Sequence, residues 1–119
     1  MTRDEWAERI RKSTDEAGTY RPYFEDVIMT LADILEKRDK AQADFVKSGG
    51  HAIVKHTNKS GATNLEQNPC LRMVNDLNRD ALAYWRDLGL TPAGLKRIDE
   101  NAMRKPKENA LAKALRELG

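Results

Sequence analysis

Residues 87–95 place a helix stop and a helix start only a few positions apart, in the sequence Asp-Leu-Gly-Leu-Thr-Pro-Ala-Gly-Leu. Gly89 can adopt the left-handed conformation that closes a helix. Thr91 can cap the next helix, and Pro92 suits its first turn, where the N–H that proline lacks has no partner within the helix. The pattern therefore predicts a rigid corner between two helices rather than a flexible linker.

A long helix is predicted to begin near Pro22 and to stop at Ser48-Gly49-Gly50. Its apolar residues recur at helical spacing and are Phe24, Val27, Ile28, Leu31, Ile34, Leu35, Ala41 and Phe45. At about 1.5 Å per residue the helix would be roughly 40 Å long, which exceeds what a domain of this size needs for its own core. We therefore expect part of its apolar face to contact a partner.

The pattern changes at about residues 52–66 to short runs of residues that favour strands. These runs flank Asn58-Lys59-Ser60-Gly61, which is typical of a hairpin turn in which Gly61 supplies a positive φ. An isolated two-stranded hairpin is only marginally stable in water. We therefore expect this hairpin to pack on a helix or to pair with a neighbour.

The helix after the hairpin is predicted to begin at Asn68 and to end at Gly89. Asn68 suits the N-cap, and Pro69 suits the first turn. The apolar positions of this helix are Leu71, Val74, Leu77, Ala81, Leu82, Tyr84, Trp85 and Leu88. Because the hairpin joins it to the long helix, the two are expected to form an antiparallel pair.

Shorter helices are predicted on both sides of this pair. Residues 3–16 carry Trp6 and Ile10 on one face, and a helix from Pro92 to about Arg104 follows the corner. The predicted fold class is therefore mainly α, an antiparallel long-helix pair joined by a β-hairpin, with shorter helices at both ends.

The last residues are predicted to form a helical tail. Leu111, Leu115 and Leu118 fall on one stripe among strong helix formers. This tail either docks on the rest of the protein or detaches from it. We predict a single helical core domain over residues 1–105, which includes the hairpin, and a C-terminal helical tail over residues 106–119.

Composition limits the partners and the compartment. The 119 residues carry 21 Lys and Arg against 19 Asp and Glu, so the whole chain lacks the basic excess typical of nucleic-acid-binding proteins. Residues 91–119 are the basic end, with seven Lys or Arg and four acids. Cys70 is the single cysteine and cannot form an internal disulfide. No apolar run approaches the roughly 18 residues of a membrane span, so we expect a cytosolic protein without a membrane partner.

No motif for catalysis, cofactor binding or metal binding is found. Lys59-Ser60 lies in a turn without the glycine that a phosphate-binding loop requires. If His51 and His56 both lie on the first strand, their odd separation directs them to opposite faces, which disfavours a shared metal. The acidic residues fall beside Lys or Arg on predicted helix surfaces, as expected of solvated faces. We predict no enzymatic activity, no catalytic residue, no metal site and no cofactor.

Cationic side chains are the strongest candidates for a binding function, because they can contact phosphates. The candidates are Lys96, Arg97, Arg104, Lys105 and Lys107 near the C-terminus, and Lys55 and Lys59 of the hairpin, beside His56. For any one of them, ordinary solubilising charge is the competing interpretation. Repetition in an oligomer would multiply a weak contact.

The order of these elements resembles a known family. The residues that carry the resemblance are Thr57-Asn58-Lys59-Ser60-Gly61, Asn68-Pro69 and Gly89-Leu90-Thr91-Pro92, in that order after a long helix. Over about residues 20–100 the chain resembles the small-subunit terminases of tailed double-stranded DNA phages. Each motif alone is a helix cap or a turn, and the specificity lies in their order and spacing.

The resemblance implies a non-enzymatic component of viral DNA packaging in the host cytoplasm. Such a protein forms a ring oligomer, engages double-stranded viral DNA and delivers it to the large subunit, whose ATPase and nuclease activities it regulates. The residues expected at the subunit interface are Val27, Leu31, Ile34, Phe45, Tyr84 and Trp85. Leu111, Leu115 and Leu118 are the candidates for docking on the large subunit.

Two other functions fit the same residues. The near-neutral charge favours a helical adaptor, a dimer built on the antiparallel helix pair, that binds proteins rather than DNA. The tight corner also suits a dimeric helix-turn-helix regulator that reads DNA with the fourth helix, although that helix offers few base-reading side chains besides Lys96, Arg97 and Asn101.

Overall fold

The computed structural model of the protein describes residues 1–99 and Leu115. Its helices and strands, in chain order, are α1 (Arg3–Ala17), a 3₁₀ turn (Pro22–Phe24), α2 (Glu25–Lys47), β1 (Ile53–Thr57), β2 (Thr63–Gln67), α3 (Pro69–Asp87) and α4 (helical over residues 92–99). The fold is mainly helical with one hairpin between the two longest helices, which confirms the predicted fold class. The predicted end of the fourth helix and the tail, apart from Leu115, lie outside the described residues.

Helix α1 is fixed at both ends by its own sequence. Thr2 and Glu5 form a capping box, in which each side chain meets the other residue's backbone N–H. Gly18 closes the helix with a φ of 73°. Thr14 is buried in the last turn, and its hydroxyl donates to backbone carbonyls of the preceding turn. The predicted helix is confirmed to within one residue at its C-terminal end.

Helix α2 is shorter than predicted. Pro22 starts a 3₁₀ turn instead of the first turn of the helix, and α2 begins at Glu25. Its 23 residues extend about 34 Å, compared with the roughly 40 Å expected from the sequence. The residues that it buries are Ile28, Leu31, Ala32, Leu35 and Ala41.

Contacts at three levels show that α2 and α3 are antiparallel. Near the hairpin, the Asn68 amide donates to the Ser48 hydroxyl at 3.2 Å. Midway along the pair, Arg38 donates to the Asn78 side chain at 3.3 Å. At the other end, Thr19, just before α2, donates its hydroxyl to the Leu88 carbonyl at 2.7 Å.

The core lies where α1, α2 and α3 meet. Its fully buried large side chains include Ile10 of α1, Ile28, Leu31 and Leu35 of α2, and Leu88 after α3. Burial of an aliphatic side chain of this size stabilises a fold by about 1.5–3 kcal/mol. Leu82 differs from the expectation, because it is 48% exposed on a flank of α3 rather than directed into this core.

The hairpin projects from the helical body. Its strands are antiparallel, with Lys55 opposite Leu65 and Thr57 opposite Thr63. Every strand residue is exposed except Val54, which is half-buried. The expected packing on a helix is therefore not found in the described part of the chain. His51 precedes β1, so the two histidines do not share a strand as the sequence argument supposed.

Candidate functional site

The corner between α3 and α4 holds α4 in one orientation. Gly89 has a φ of 73°, and the Thr91 hydroxyl accepts a hydrogen bond from the Gly94 N–H at 3.0 Å. Both features were predicted from the sequence. Gly94 was not singled out, although a Cβ there would overlap the Arg86 carbonyl group of α3. The backbones of the two helices therefore approach each other as closely as glycine allows.

The corner is also tied to the loop before α2. A Cβ on Gly89 would come within 3 Å of side-chain atoms of both Thr19 and Ile98. Thr19 is buried and bonds the Leu88 carbonyl, so three chain segments converge on one point. Since each contact restricts α4, its exposed side chains are presented on a rigid support.

Helix α4 presents two of the predicted cationic residues to solvent. Lys96 and Arg97 are exposed, whereas Leu95 and Ile98 on either side are half-buried. The candidates Arg104, Lys105 and Lys107 lie outside the described residues. The structure therefore places one adjacent Lys-Arg pair on the outer surface of α4.

The hairpin cations lie at the opposite end of α3. Lys55 is exposed on β1 and Lys59 is exposed at the turn. The 19 residues of α3 separate the hairpin from the corner by about 28 Å. One chain therefore presents two separate cationic contacts, and the structure does not bring all the predicted residues together.

Several other cations are engaged within the chain. Arg11 donates to the Glu25 carboxylate at 3.0 Å, and Lys37 meets Asp33 at 2.9 Å. Arg38 pairs with Asp39 at 3.1 Å. These three cations are therefore already neutralised by carboxylates of the helical body.

A polar cluster joins α1 to α2 at Asp39. The Trp6 indole N–H donates to the Asp39 carboxylate at 2.7 Å, and the guanidinium groups of Arg9 and Arg38 each lie 5.4 Å from the Trp6 ring centroid. Burial raises the pKa of Asp39, but hydrogen bonds from Trp6, the Met1 amino group and Arg38 outweigh it and leave the pKa below its ordinary value. The cluster is structural, because no third metal-ligating or nucleophilic group joins it.

A second polar cluster joins the same helices at Glu25. The Tyr20 hydroxyl donates to Glu25 at 2.8 Å, and Arg11 donates from α1. These two hydrogen bonds, with Tyr20 the stronger cause, lower the pKa of Glu25, and the same bond raises the pKa of Tyr20. A shallow cleft of about 360 Å³ opens beside Arg11 and Tyr20, with side chains of mixed charge on its walls.

The predicted interface residues differ in their exposure. Leu31 is 0% exposed and belongs to the core of the single chain, so it has no surface to offer a second subunit. Val27, Ile34, Tyr84 and Trp85 are half-buried at the edges of that core. Phe45 is half-buried near the end of α2.

The structure adds exposed apolar residues that the sequence argument did not select. Ile53 and Leu65 of the hairpin are 63% and 71% exposed, and Met73 of α3 is 55% exposed. The helical spacing of Met73, Leu77 and Tyr84 places them on one flank of α3. This spacing could have identified Met73 from the sequence. Leu115, predicted to dock a partner, is also exposed. Leu111 and Leu118 lie outside the described residues.

A groove runs between α2 and α3 on the flank that carries Met73. Its volume is about 380 Å³. The residues that line this α2–α3 groove are Lys37, Lys40, Ala41, Asp44, Met73 and Leu77. The apolar floor and charged rim suit a protein contact better than a reaction.

Catalytic and metal-binding arrangements are not evident in residues 1–99. Within that range no three His, Cys, Asp or Glu side chains lie close enough to hold a metal ion. Among the helices that the structure describes, none is long and apolar enough to cross a membrane.

Comparison with known proteins places the chain in a family. A family model described as phage terminase, small subunit, matches residues 2–105, which is most of the chain. The chain therefore belongs to this family, as the resemblance suggested, and membership implies a role in phage DNA packaging within the infected host cell. No curated protein and no solved structure matches the chain.

Proposed function

We propose, from its membership of the phage terminase small-subunit family, that the chain is a non-catalytic packaging subunit that acts in the host cytoplasm. It assembles into an oligomer, engages double-stranded viral DNA and recruits or regulates the large subunit, which carries the ATPase and nuclease activities. The observation that carries this proposal is the family match over residues 2–105. The match ends where we expect the core domain (residues 1–105) to meet the tail (residues 106–119).

Contact with DNA is assigned to Lys96 and Arg97. Both are exposed on α4, and the Gly89 corner orients that helix rigidly. Side chains on a rigid support lose little entropy when they bind, because their backbone is already ordered. Lys59, exposed at the hairpin turn, forms a second contact beyond the far end of α3. Both contacts are repeated in every subunit of an oligomer, so weak phosphate contacts add to a useful affinity.

Assembly is assigned to the edges of the α2–α3 pair. Val27, Ile34, Tyr84 and Trp85 reach the surface beside the core, and Phe45 reaches it near the hairpin. Head-to-tail contact of such edges closes a ring when the rotation between neighbours permits. Leu31 supports assembly only indirectly, because it is a buried core residue that holds α2 in place within each subunit.

Recruitment of the large subunit is assigned to the stripe of Leu111, Leu115 and Leu118. A chain truncated after Lys105 tests this assignment. We expect it to keep the oligomeric mass of the full chain and to lose retention of the purified large subunit. Loss of assembly on truncation would contradict the docking role.

The DNA contact is tested with Lys96→Glu combined with Arg97→Glu. Binding to a double-stranded fragment is measured from about 50 to 200 mM salt, where phosphate-dominated affinity falls steeply. Since two phosphate contacts are removed from each subunit, we expect weaker binding to every sequence and a shallower dependence on salt. Lys12→Glu, which reverses an exposed charge on α1, is the control and should change neither the affinity for DNA nor its dependence on salt. Affinity that stays constant over this salt range would contradict the cationic contact.

A second function is favoured by the α3–α4 corner. A tight turn between two packed helices is also the frame of a dimeric helix-turn-helix regulator. In that case binding would depend on sequence, and the mass would be that of a dimer. A helical adaptor would bind no DNA at all. The DNA measurement and the mass in solution separate these alternatives.

A further inference from the structure

One face of the hairpin carries two aliphatic side chains that the described part of its own chain leaves uncovered. Opposite residues of an antiparallel pair share a face, so this side consists of Ile53, Lys55, Thr57, Thr63, Leu65 and Gln67. The other side consists of Val54, His56, Asn64 and Glu66. We call the first side the ribbon face. Its two aliphatic residues are both more than 60% exposed.

The hairpin is nevertheless held in a fixed position. At its base, the Asn68 side chain donates to the His51 carbonyl at 3.0 Å, and the Asn68 N–H donates to the Ala52 carbonyl at 2.8 Å. At its tip, the Asn58 side chain accepts from the backbone N–H groups of Ser60 and Ala62. A two-stranded hairpin is marginal in water without further packing. These bonds fix its shape, and a contact on the ribbon face would supply the missing burial.

The α2–α3 groove complements this face. Ala41, Met73 and Leu77 give it an apolar floor, and Met73 is more than half exposed. Asp44 lies on its rim and is exposed, as Lys55 is at the centre of the ribbon face. Of the two lysines on the rim, Lys37 is already bonded to Asp33. The apolar residues of the two surfaces therefore match, and Asp44 offers Lys55 an opposite charge, whereas Lys40 on the same rim carries the same charge as Lys55.

We propose that the ribbon face of each subunit docks into the α2–α3 groove of the neighbouring copy of this chain. The occupant is a second copy because both complementary surfaces are present on one chain, and the strands pack extensively on none of its described helices. Two different patches in contact make a heterologous interface, which extends from subunit to subunit and closes a ring. The inference rests on the proposed function and adds one contact between subunits to the helix edges already assigned to assembly.

Two variants separate the halves of this contact. Ile53→Ser with Leu65→Ser removes the apolar ribbon face, and Met73→Asp places a charge in the groove. Since a buried aliphatic side chain contributes about 1.5–3 kcal/mol, each variant should raise the concentration needed for assembly about tenfold or more. Asn64→Ser on the opposite face of the hairpin and Asp80→Asn on the exposed surface of α3 are the matched controls. Circular dichroism confirms that each monomer is folded.

Mixing the two variants is the decisive measurement. A ribbon variant still has an intact groove, and a groove variant still has an intact ribbon face. A heterologous contact therefore predicts a one-to-one complex in light scattering, formed only when both are mixed. Failure to associate on mixing, with both variants folded, would overturn the proposal.

A charge exchange provides an independent check. Lys55→Asp and Asp44→Lys should each weaken assembly, and the chain that carries both changes should recover it. Assembly recovers in the doubly changed chain only if the two charges face each other across the interface. If either residue had a purely structural role, the second change would not restore assembly.

The remaining outcomes distinguish this proposal from the proposed function. If the wild-type chain forms a large oligomer and both variants keep its mass, this contact is wrong while the packaging role stands. The same holds if the ribbon variant keeps its mass but loses DNA or the large subunit, because the ribbon face would then bind that partner. A wild-type chain that stays monomeric would contradict both.

Discussion

At the scale of single residues, Gly94 marks a close approach of α4 to the Arg86 carbonyl group of α3. Its backbone is helical, so glycine is required here by space rather than by conformation. Gly94→Ala would force the added methyl group onto the Arg86 carbonyl of α3. We expect a loss of about 1–3 kcal/mol in the free energy of unfolding, as in other overpacked sites.

Urea unfolding followed by circular dichroism measures this loss. Ala93→Ser is the control, because Ala93 is exposed beside Gly94 and surface changes usually stay within about 0.5 kcal/mol. Equal stability of Gly94→Ala and the wild type would show that α4 does not pack against α3 as described.

Asn68 makes more hydrogen bonds than its predicted role as a helix N-cap requires. Its side chain accepts from the Cys70 N–H at 3.0 Å and donates to both Ser48 and His51. Asn68→Ala removes an N-cap worth about 0.5–2 kcal/mol and takes away the donor that the Ser48 hydroxyl and the His51 carbonyl share. We expect unfolding at lower urea and faster amide exchange throughout the hairpin. Asn75→Ala, on the exposed surface of α3, is the control and should change neither the unfolding in urea nor the amide exchange of the hairpin. Unaltered amide exchange of the hairpin in Asn68→Ala would contradict the proposed anchoring.

Sequence alone identified the residues whose role is local. Gly89, Thr91 and Asn68 act through their own backbone turn, and their roles as helix stop and caps follow from residue type and spacing. Gly94 and Thr19 escaped notice because their roles depend on which segment crosses them. That crossing is a property of the packed helices and leaves no local pattern in the sequence.

At the scale of elements, two polar clusters hold α1 against α2. Asp39 and Glu25 both have lowered pKa values in the folded protein. A lowered folded-state pKa adds stability that is present above the unfolded pKa, about 4, and is lost as the pH falls through the folded value. We therefore expect stability to fall on acidification below about pH 4, beginning with the attachment of α1.

Asp39→Asn tests the origin of this pH dependence. The variant should be less stable than the wild type near neutral pH, and its stability should change less on acidification, because one of the titrating groups is gone. Urea unfolding at a series of pH values provides the measurement. Asp80→Asn, at an exposed position of α3, is the control and should lose as much stability on acidification as the wild type does. If Asp39→Asn also lost as much stability on acidification as the wild type, Asp39 would be excluded as the source of the pH dependence.

Element positions followed from the sequence more closely than element packing did. The hairpin and the antiparallel pair were predicted, because Asn-Pro and Gly-containing turns mark their ends. The packing of the hairpin was not, since alternation in a short strand shows which residues share a face but not what covers that face. Leu82, one of the apolar positions of α3, is exposed because the flank of a broad apolar stripe is buried only where a neighbour covers it.

At the scale of the whole molecule, the two cationic contacts are separated by the length of α3. Residues 1–99 contain equal numbers of basic and acidic side chains, 16 of each, so the proposed contact of this region with DNA depends on local patches rather than on its net charge. We expect the Lys96→Glu and Arg97→Glu double variant and a Lys59→Glu variant to weaken DNA binding independently. Additive losses in binding free energy would support separate contacts, and strongly coupled losses would contradict them.

The family assignment and the fold support each other, and the proposed function depends on assembly. The sequence predicted the family from the order of caps and turns, and the apolar edges of α2 and α3 gave the reason to expect a partner. Which edges meet could not be predicted, because one chain contains both sides of a contact without indicating how copies are arranged.

The mass of the full chain in solution, by light scattering coupled to size exclusion at near-physiological salt, shows directly whether the chain assembles. We expect one discrete species of many subunits whose mass persists on dilution. A monomer or a dimer at every concentration would contradict it and would favour the dimeric regulator or the adaptor.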